Sequence, residues 1–233
     1  MWSKDYRGFE SRPFRKDNKI CYNSIVSNLQ IVNHPLIQDS LTHLRNRETS
    51  LEKFRQHSDK ICQLMLIESV KDFKLATFEV ETPIGKTEGS RLDGEVVFIP
   101  VLRAGVAMLF SAIQLLPKSK VGFVGLERDE NTAIASQYYW KLPTISQNTT
   151  VIVTDPMLAT GGSLIYLLRK IAPKNPKRII IVSIIAAPEG VEVIEKEFPD
   201  VKVYTAALDE KLNDKKYIVP GLGDYGDRYF GTG

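Results

Sequence analysis

The chain has 233 residues, with 31 lysines and arginines against 28 aspartates and glutamates, so its formal net charge is +3. Apolar residues make up 43% and charged residues 25% of it, as in globular proteins and unlike disordered, collagen-like or membrane chains. This small, dispersed charge predicts no nucleic-acid partner, and the lack of about 18 consecutive apolar residues predicts no membrane partner.

The N-terminal part of the chain is polar. Residues 1–30 are interpreted as an N-terminal extension, partly flexible, and residues 1–19 lack the apolar region of a secretory signal. We therefore expect a cytoplasmic protein. Cys21 and Cys62 lie too far apart for a metal-binding spacing, so we expect buried, inert thiols in a reducing compartment.

Two helices are predicted next. Residues 35–45 place apolar side chains on one face, and the T-x-x-E pattern of Thr49 and Glu52 predicts a capping box that opens a second helix to about Val70. The three histidines of the chain also fall in or beside this stretch: His34, His43 and His57. None has an evident partner, so we predict neither a zinc ligand nor a catalytic base among them.

The pattern then changes to strands. Alternation over 77–82 and a glycine-rich segment over 85–95 predict a β-hairpin arm at 79–95. Five runs rich in β-branched residues follow at 96–101, 121–126, 151–154, 179–185 and 201–205, with helices predicted at about 104–116, 164–172 and 189–198. This predicts an α/β fold with a mostly parallel central sheet flanked by helices, and ligands at the carboxyl ends of its strands.

Residues 127–150 are too long for an ordinary connection, and we predict a flexible loop of the kind that often closes over a site. Its aromatic residues Tyr138, Tyr139 and Trp140 could cover the site or meet a partner subunit, but core packing is the favoured interpretation.

The segment 155–163, DPMLATGGS, follows a buried strand and leads into a helix. Ser163 is placed to cap that helix, and Gly161 and Gly162 let the backbone approach an anion. The N–H groups at the helix start could hold a phosphate, while Asp155 could accept hydrogen bonds from sugar hydroxyls. The plain alternative is a capped strand-to-helix turn.

This segment resembles the 5-phosphoribosyl-1-diphosphate (PRPP) loop of the uracil phosphoribosyltransferases, a branch of the type I phosphoribosyltransferases. Four other segments resemble family segments in family order: 100–105, 186–190, 204–209 and 217–224. The resemblance covers about 34–233 and implies a single domain over 31–233, with the β-hairpin arm and a small C-terminal hood that binds the base.

The chain departs from the family pattern at two positions. Type I enzymes usually carry two adjacent acids at the strand end, whereas here Thr154 precedes Asp155, as the uracil branch tolerates. Tyr225 stands where many bacterial members have a small residue, and together with the extension it looks more like eukaryotic members.

The resemblance implies roles in binding PRPP. Arg103 and Arg128 would bind its diphosphate, for which a planar guanidinium is suited, although each could be a solvated surface arginine. Asp155, Asp224 and Arg103 would be catalytic, although Asp224 could simply accept from turn amides. The full PRPP set is Arg103, Arg128, Asp155, Pro156, Met157, Leu158, Ala159, Thr160, Gly161, Gly162, Ser163 and Asp224.

The C-terminal segment 206–233 would bind uracil. By resemblance Ile218, Gly223 and Tyr225 contact the base through main-chain atoms, with Asp224 beside them. A rigid loop that offers N–H and C=O groups to the O2, N3 and O4 edge would leave polar atoms unpaired with cytosine.

The implied reaction is uracil plus PRPP giving UMP and diphosphate, in pyrimidine salvage. Mg²⁺ would be carried by PRPP rather than by a protein metal site, and GTP activates some members although no local motif predicts its site here. The resemblance also implies a homo-oligomer, a dimer or tetramer. Two alternatives on the same fold are an RNA-binding, pyrimidine-sensing regulator and a catalytically silent paralogue.

Overall fold

The computed structural model describes residues 28–128 and 135–233. Cys21 and the predicted extension up to residue 27 lie outside the described residues. Leu29–Ile31 forms a strand that pairs with the central sheet, so the sheet begins within the last residues of the predicted extension.

The described residues form strands β1 (Leu29–Ile31), β2 (Leu75–Glu81), β3 (Lys86–Leu92), β4 (Glu95–Leu102), β5 (Lys120–Val121), β6 (Phe123–Arg128), β7 (Ala135–Lys141), β8 (Thr149–Thr154), β9 (Met157–Leu158), β10 (Arg178–Ala186), β11 (Lys202–Leu208), β12 (Lys211–Leu212) and β13 (Ile218–Val219). The α-helices are α1 (Pro35–Arg45), α2 (Leu51–Ser69), α3 (Val106–Leu115), α4 (Gly162–Ile171), α5 (Pro188–Glu197) and α6 (Tyr225–Phe230). None of these helices is long and apolar enough to cross a bilayer.

The central sheet has the strand order β1-β11-β10-β8-β4-β6-β7, with β5 beside β4 and β9 beside β10. Its neighbouring strands are parallel except β6 and β7, which are antiparallel. The predicted mostly parallel sheet flanked by helices is therefore confirmed. Two small antiparallel pairs, β2 with β3 and β12 with β13, stand apart from it.

The core lies in two layers, one on each face of the sheet. On one face α1, α2, α3 and α6 pack against alternate strand residues such as Phe98, Ile152 and Val182. On the other face α4 and α5 pack against the residues between them, such as Val97 and Ile181. This use of both faces explains why the central strands have no polar alternation, because every side chain is buried on one side or the other.

The strand order opens a crevice between the ends of β4 and β8. From β4 the chain crosses through α3 towards β6, whereas from β8 it crosses through α4, on the opposite face, towards β10. The carboxyl ends of the two neighbouring strands therefore border a crevice that no crossover covers, which is where open α/β sheets bind ligands.

Two predicted helix starts are wrong. Ser50, not Thr49, caps α2 by accepting from the Lys53 N–H, and the Thr49 hydroxyl instead donates to the His43 carbonyl at 2.7 Å. Similarly, Ser163 is not the cap of α4, because the backbone turns through a left-handed conformation at Gly161 and the helix begins at Gly162.

The segment predicted as one loop over 127–150 contains a strand, so that prediction is wrong for residues 135–141. Strand β7 is rich in aromatic residues that favour strands, and it pairs with β6. Trp140 is partly buried against the core, as favoured, but Tyr138 and Tyr139 are exposed.

The predicted arm is confirmed as a hairpin. Its paired strands cover 75–92 and not 79–95, because β2 begins at Leu75 and β3 ends at Leu92, before β4 begins at Glu95.

Candidate active site

A cleft of about 620 Å³ opens at the carboxyl ends of β4 and β8. Its walls come from the turn after β4, Leu126 on β6, the loop between β8 and α4, and the C-terminal segment from the β12–β13 turn to α6. Four parts of the chain therefore meet at the crevice that the strand order leaves open.

The turn after β4 carries Arg103 and is pressed against the end of β8. A Cβ atom at Gly105 would lie 2.3 Å from the Thr154 carbonyl oxygen, so a glycine is needed for this approach. The buried Thr154 hydroxyl donates to the Gly105 carbonyl at 3.2 Å. Thr154, which replaces the first acid of the family pattern, thus joins the two strand ends instead of facing a ligand.

The side chain of Arg103 lines the cleft and is half exposed. Its guanidinium donates to the Asp227 carboxylate at 3.2 Å and to the Thr232 hydroxyl at 3.5 Å. The Thr232 hydroxyl, and then the Arg103 guanidinium, hold the pKa of the Asp227 carboxyl below its ordinary value. Arg103 is therefore held at the cleft by the Asp227 carboxylate and the Thr232 hydroxyl.

The loop after β8 is fixed to the neighbouring strand β10. The Asp155 N–H donates to the Val182 carbonyl at 3.2 Å, and β9 pairs with the end of β10. The Asp155 carboxylate accepts from the Met157 N–H at 3.3 Å, which closes a tight turn at the strand end. Asp155 therefore lies at a fixed place on the cleft wall.

Glycines allow this loop to pack on the start of α5. Gly161 has a φ of +77°, and a Cβ atom at Gly190 would lie 2.3 Å from the Ala159 carbonyl oxygen. The first N–H groups of α4 have no acceptors within the helix, and the positive end of its dipole points at the loop. A helix start of this kind can bind an anion, and the predicted phosphate role of the loop stays a prediction.

The predicted PRPP residues take different places. Arg103, Asp155, Met157, Ala159, Ser163 and Asp224 line the cleft. Pro156 and Leu158 are buried beneath it, and Thr160 lines an adjoining cleft of about 350 Å³. Gly161 and Gly162 contribute backbone at the start of α4, and the side chain of Arg128 lies outside the described residues.

The C-terminal segment is held by two arginines. Arg45 binds the Asp209 carboxylate and donates to the Gly221 carbonyl at 2.8 Å, while the Gly221 N–H donates to Asp209 at 2.9 Å. Arg228 donates to the Leu222 carbonyl at 2.7 Å and ties it to the end of α1. These hydrogen bonds therefore hold the backbone of the predicted uracil loop in one conformation.

Tyr225 presents its main chain to the cleft and its side chain to the core. Its ring lies 5.4 Å from the Phe54 ring and 5.8 Å from the Tyr229 ring, and its hydroxyl bonds with the Ser58 hydroxyl on α2. Burial raises the pKa of this phenol well above its ordinary value. The Tyr225 side chain thus anchors the loop to the core, and its main-chain role towards the base stays a prediction.

Replacing Ser58 with alanine is expected to lower the free energy of unfolding by about 1–3 kcal/mol, because the buried Tyr225 hydroxyl loses its partner. Urea denaturation measures the change. Ser183→Ala is the matched control, since the buried Ser183 hydroxyl has no hydrogen-bond partner within the described ranges. An equal loss in both variants would contradict the anchoring role of the Ser58–Tyr225 pair.

Asp224 caps α6 by accepting from the Asp227 N–H at 2.9 Å, so the structure shows the turn-amide contact given above as the alternative for this residue. Asp224 also lines the cleft, as do Ile218 and Gly223. A capping bond fixes the carboxylate without removing it from the cleft.

Sequence reasoning missed several residues of the cleft. Lys215 and Lys216 lie in the turn between β12 and β13 and line the cleft, with Lys216 in a left-handed backbone at φ +64°. Asp227 was missed as the partner of Arg103. The lysine pair beside the proposed base segment was an available signal, whereas the Arg103–Asp227 contact depends on how the chain end folds back.

Cys62 is fully buried on α2, and burial raises its thiol pKa to about 12. The predicted burial of the thiol is therefore confirmed for Cys62.

The chain is similar in sequence and in fold to known proteins. A family model described as "Uracil phosphoribosyltransferase" matches residues 31–232. Uracil phosphoribosyltransferases from Malacoplasma penetrans and Finegoldia magna are 48% and 49% identical to the chain; the matches cover 87% and 89% of it and 98% and 100% of the relatives. A solved structure of an Aquifex aeolicus protein is 42% identical, with a TM-score of 0.83, covering 87% of this chain and 97% of that one.

Proposed function

The chain belongs to the uracil phosphoribosyltransferase family, and from this membership we propose that it joins uracil to the ribose of PRPP, giving UMP and diphosphate in pyrimidine salvage. The observation that carries the proposal is the meeting of the phosphate-type loop 155–163 and the fixed segment 218–225 in one cleft. One part would hold the sugar donor and the other the base, in the geometry that a transfer between them needs.

The loop and Arg103 are proposed to bind PRPP. The N–H groups at the start of α4, with the Ser163 and Thr160 hydroxyls, would take the 5′-phosphate, and Asp155 would take the ribose hydroxyls. Arg103 would exchange the Asp227 carboxylate for the diphosphate, a ligand that offers a guanidinium more oxygens. The lysines at the β12–β13 turn add positive charge on the same wall.

No protein nucleophile is needed for this reaction. The bond between the anomeric carbon and the diphosphate oxygen breaks, a bond from uracil N1 forms, and the N1 proton is lost. Positive charge grows on the sugar as the diphosphate leaves, so Asp155 and Asp224 on the cleft wall would stabilise it. The task of the protein is alignment and charge balance.

Mg²⁺ is proposed to enter with PRPP. Within the described part of the chain, the carboxylates that line the cleft belong to Asp155 and Asp224, and this donor set suits an ion that keeps much of its water. When bound, the ion neutralises charge on the departing diphosphate. Asp155 is the protein group proposed to meet it, and no all-protein cage is required.

Uracil would be recognised by main-chain groups of Ile218, Gly223 and Tyr225. The two arginine anchors and the buried Tyr225 ring support this proposal, because a fixed backbone can discriminate by hydrogen-bond pattern. Cytosine reverses the pattern at N3 and at the exocyclic group, and a site that leaves buried polar atoms unpaired rejects such a base by about 10⁴-fold.

The remaining proposals concern organisation. Residues 31–233 are proposed to act as one phosphoribosyltransferase domain, with 206–233 as the uracil-binding segment. A homo-oligomer is supported by exposed apolar residues on α3 and on the β2–β3 hairpin, such as Phe110 and Phe78. A cytoplasmic location agrees with a charged donor that does not cross membranes. Activation by GTP stays a prediction, checked by adding GTP to the assay below.

The test is an assay of radiolabelled uracil with PRPP and magnesium, run beside cytosine and hypoxanthine. We expect UMP and diphosphate in equal amounts with uracil, and no product with cytosine or hypoxanthine. PRPP binding without uracil consumption would instead favour a silent paralogue. Saturable binding of a pyrimidine-leader RNA at two salt concentrations, without UMP synthesis, would favour a regulator.

A further inference from the structure

Three metal-binding side chains meet on the two N-terminal helices, away from the cleft. Asp39 and His43 lie one turn apart on α1, and His57 reaches them from α2. One ligand atom of each residue lies within 4.8 Å of the others. The structure thus gives His43 and His57 neighbours that the sequence did not show.

The packing of the two helices fixes this arrangement. Leu41 and Leu44 on α1 and Phe54 and Ile61 on α2 are buried in the same core layer. Residues four apart on a helix share a face, so Asp39 and His43 point together towards α2. The His43 and His57 rings stack with centroids 3.9 Å apart and 17° between their planes. The fold thus brings the two imidazoles together, but an imidazole binds an ion in the plane of its ring, so one ring has to turn out of this stack before both can share an ion.

A buried serine on α1 orients the His57 ring. The Ser40 hydroxyl, fully buried, lies 3.2 Å from His57 Nδ1. When Nδ1–H donates to this hydroxyl, Nε2 keeps its lone pair and is the metal-binding nitrogen. Histidine ligands in metal sites are typically held by such a contact to their second nitrogen, which fixes both tautomer and ring orientation.

We propose that Asp39, His43 and His57 form a binding site for a divalent transition-metal ion, with Zn²⁺ as the first choice. Two imidazoles and a carboxylate are a donor set for zinc-like ions and not for Mg²⁺ or Ca²⁺, which prefer oxygen ligands. A water molecule would complete a four-coordinate site open to solvent. The bound ion would join α1 to α2.

The site needs only a small adjustment to close. Ligand atoms about 2.0–2.2 Å from one tetrahedral ion lie about 3.3–3.6 Å apart. The present separations of up to 4.8 Å therefore shrink by about an ångström. Asp39 is exposed, so the adjustment would consist of rotation of the Asp39 side chain and of the His43 ring out of its stack with His57.

Both helices also support the proposed base loop. Arg45 on α1 holds Gly221, and Ser58 on α2 holds Tyr225. An ion that joins the helices stabilises the support of that loop without entering the cleft. The expected readouts are metal binding and thermal stability, which do not depend on the proposed reaction.

The experiment is a calorimetric titration of tag-free, chelator-treated full-length protein with ZnCl₂. We expect one ion per chain and a higher Tm with zinc. The affinity for zinc is expected to fall at least about tenfold in His43→Ala, His57→Ala and Asp39→Asn. In Ser40→Ala it is expected to fall about tenfold. Titration with Co²⁺ gives a second readout, since a tetrahedral site with histidine ligands produces a visible absorption band that these variants should lose.

His34→Asn is the matched control. His34 caps α1 by accepting from the Leu36 N–H at 3.1 Å, and asparagine preserves a cap while removing the remaining histidine. Cys21→Ser tests a site elsewhere in the chain. The proposal is overturned by an absence of saturable binding, by equal binding in His43→Ala and wild type, or by loss of binding only in Cys21→Ser. If His57→Ala does not fold, the surface variant Asp39→Asn decides.

Discussion

Replacing Asp155 with asparagine is expected to lower kcat for UMP synthesis by about 10²–10³-fold, the cost of removing one group that stabilises developing charge. Asparagine has almost the same shape and keeps the oxygen that accepts from the Met157 N–H. The loop between β8 and α4 should therefore keep its conformation, and the loss of activity reports the missing negative charge at the proposed ribose site.

Steady-state kinetics with varied PRPP and uracil measures this effect, and thermal denaturation checks that Tm is unchanged. Asp200→Asn, an exposed aspartate after α5, is the matched control and should retain full activity. Near-normal turnover in Asp155→Asn, with an intact fold, would remove Asp155 from the proposed mechanism.

Replacing Gly105 with alanine is expected to be nearly as damaging, for a steric reason. The new Cβ atom would lie 2.3 Å from the Thr154 carbonyl oxygen and 2.6 Å and 2.7 Å from the Val101 nitrogen and oxygen. All three are backbone atoms, two of them on β4 itself, so the turn that carries Arg103 has to change its conformation against both strands. Gly105 has a φ of −60°, which alanine adopts readily, so the crowding alone causes the effect.

We expect kcat/KM to fall by about 10²-fold, because a shift of about 1 Å in a positioning group has that cost. The free energy of unfolding should fall by about 1–3 kcal/mol, as in other overpacked sites. Gly85→Ala is the control, since a Cβ atom there meets nothing within 4 Å. Unchanged kinetics in Gly105→Ala would show that the spacing of the two strand ends is not critical.

Much of the fold could be predicted because its signals are local. The central strands form continuous apolar runs, and helix 35–45 has a clear apolar face, so both were located correctly. The glycines at 161 and 162 similarly mark the loop at the start of α4. By contrast, β7 was missed because an exposed edge strand lacks the apolar run of a central one.

Parts of the site could not be predicted because they depend on distant packing. The pairing of Arg103 with Asp227 requires α6 to return to the end of β4. The meeting of His43 with His57 depends on how α1 lies against α2, which sequence spacing does not give. Local patterns predict elements and loops, whereas contacts between elements follow from the assembled core.

The pairing of Arg103 with Asp227 has a kinetic consequence. An approaching polyanion meets a nearly neutral pair at this position, so the guanidinium contributes little to long-range attraction. Under the proposed binding of PRPP, the encounter rate should then depend on ionic strength through charges such as Lys215 and Lys216 at the rim, whereas Arg103 would act after contact by slowing dissociation.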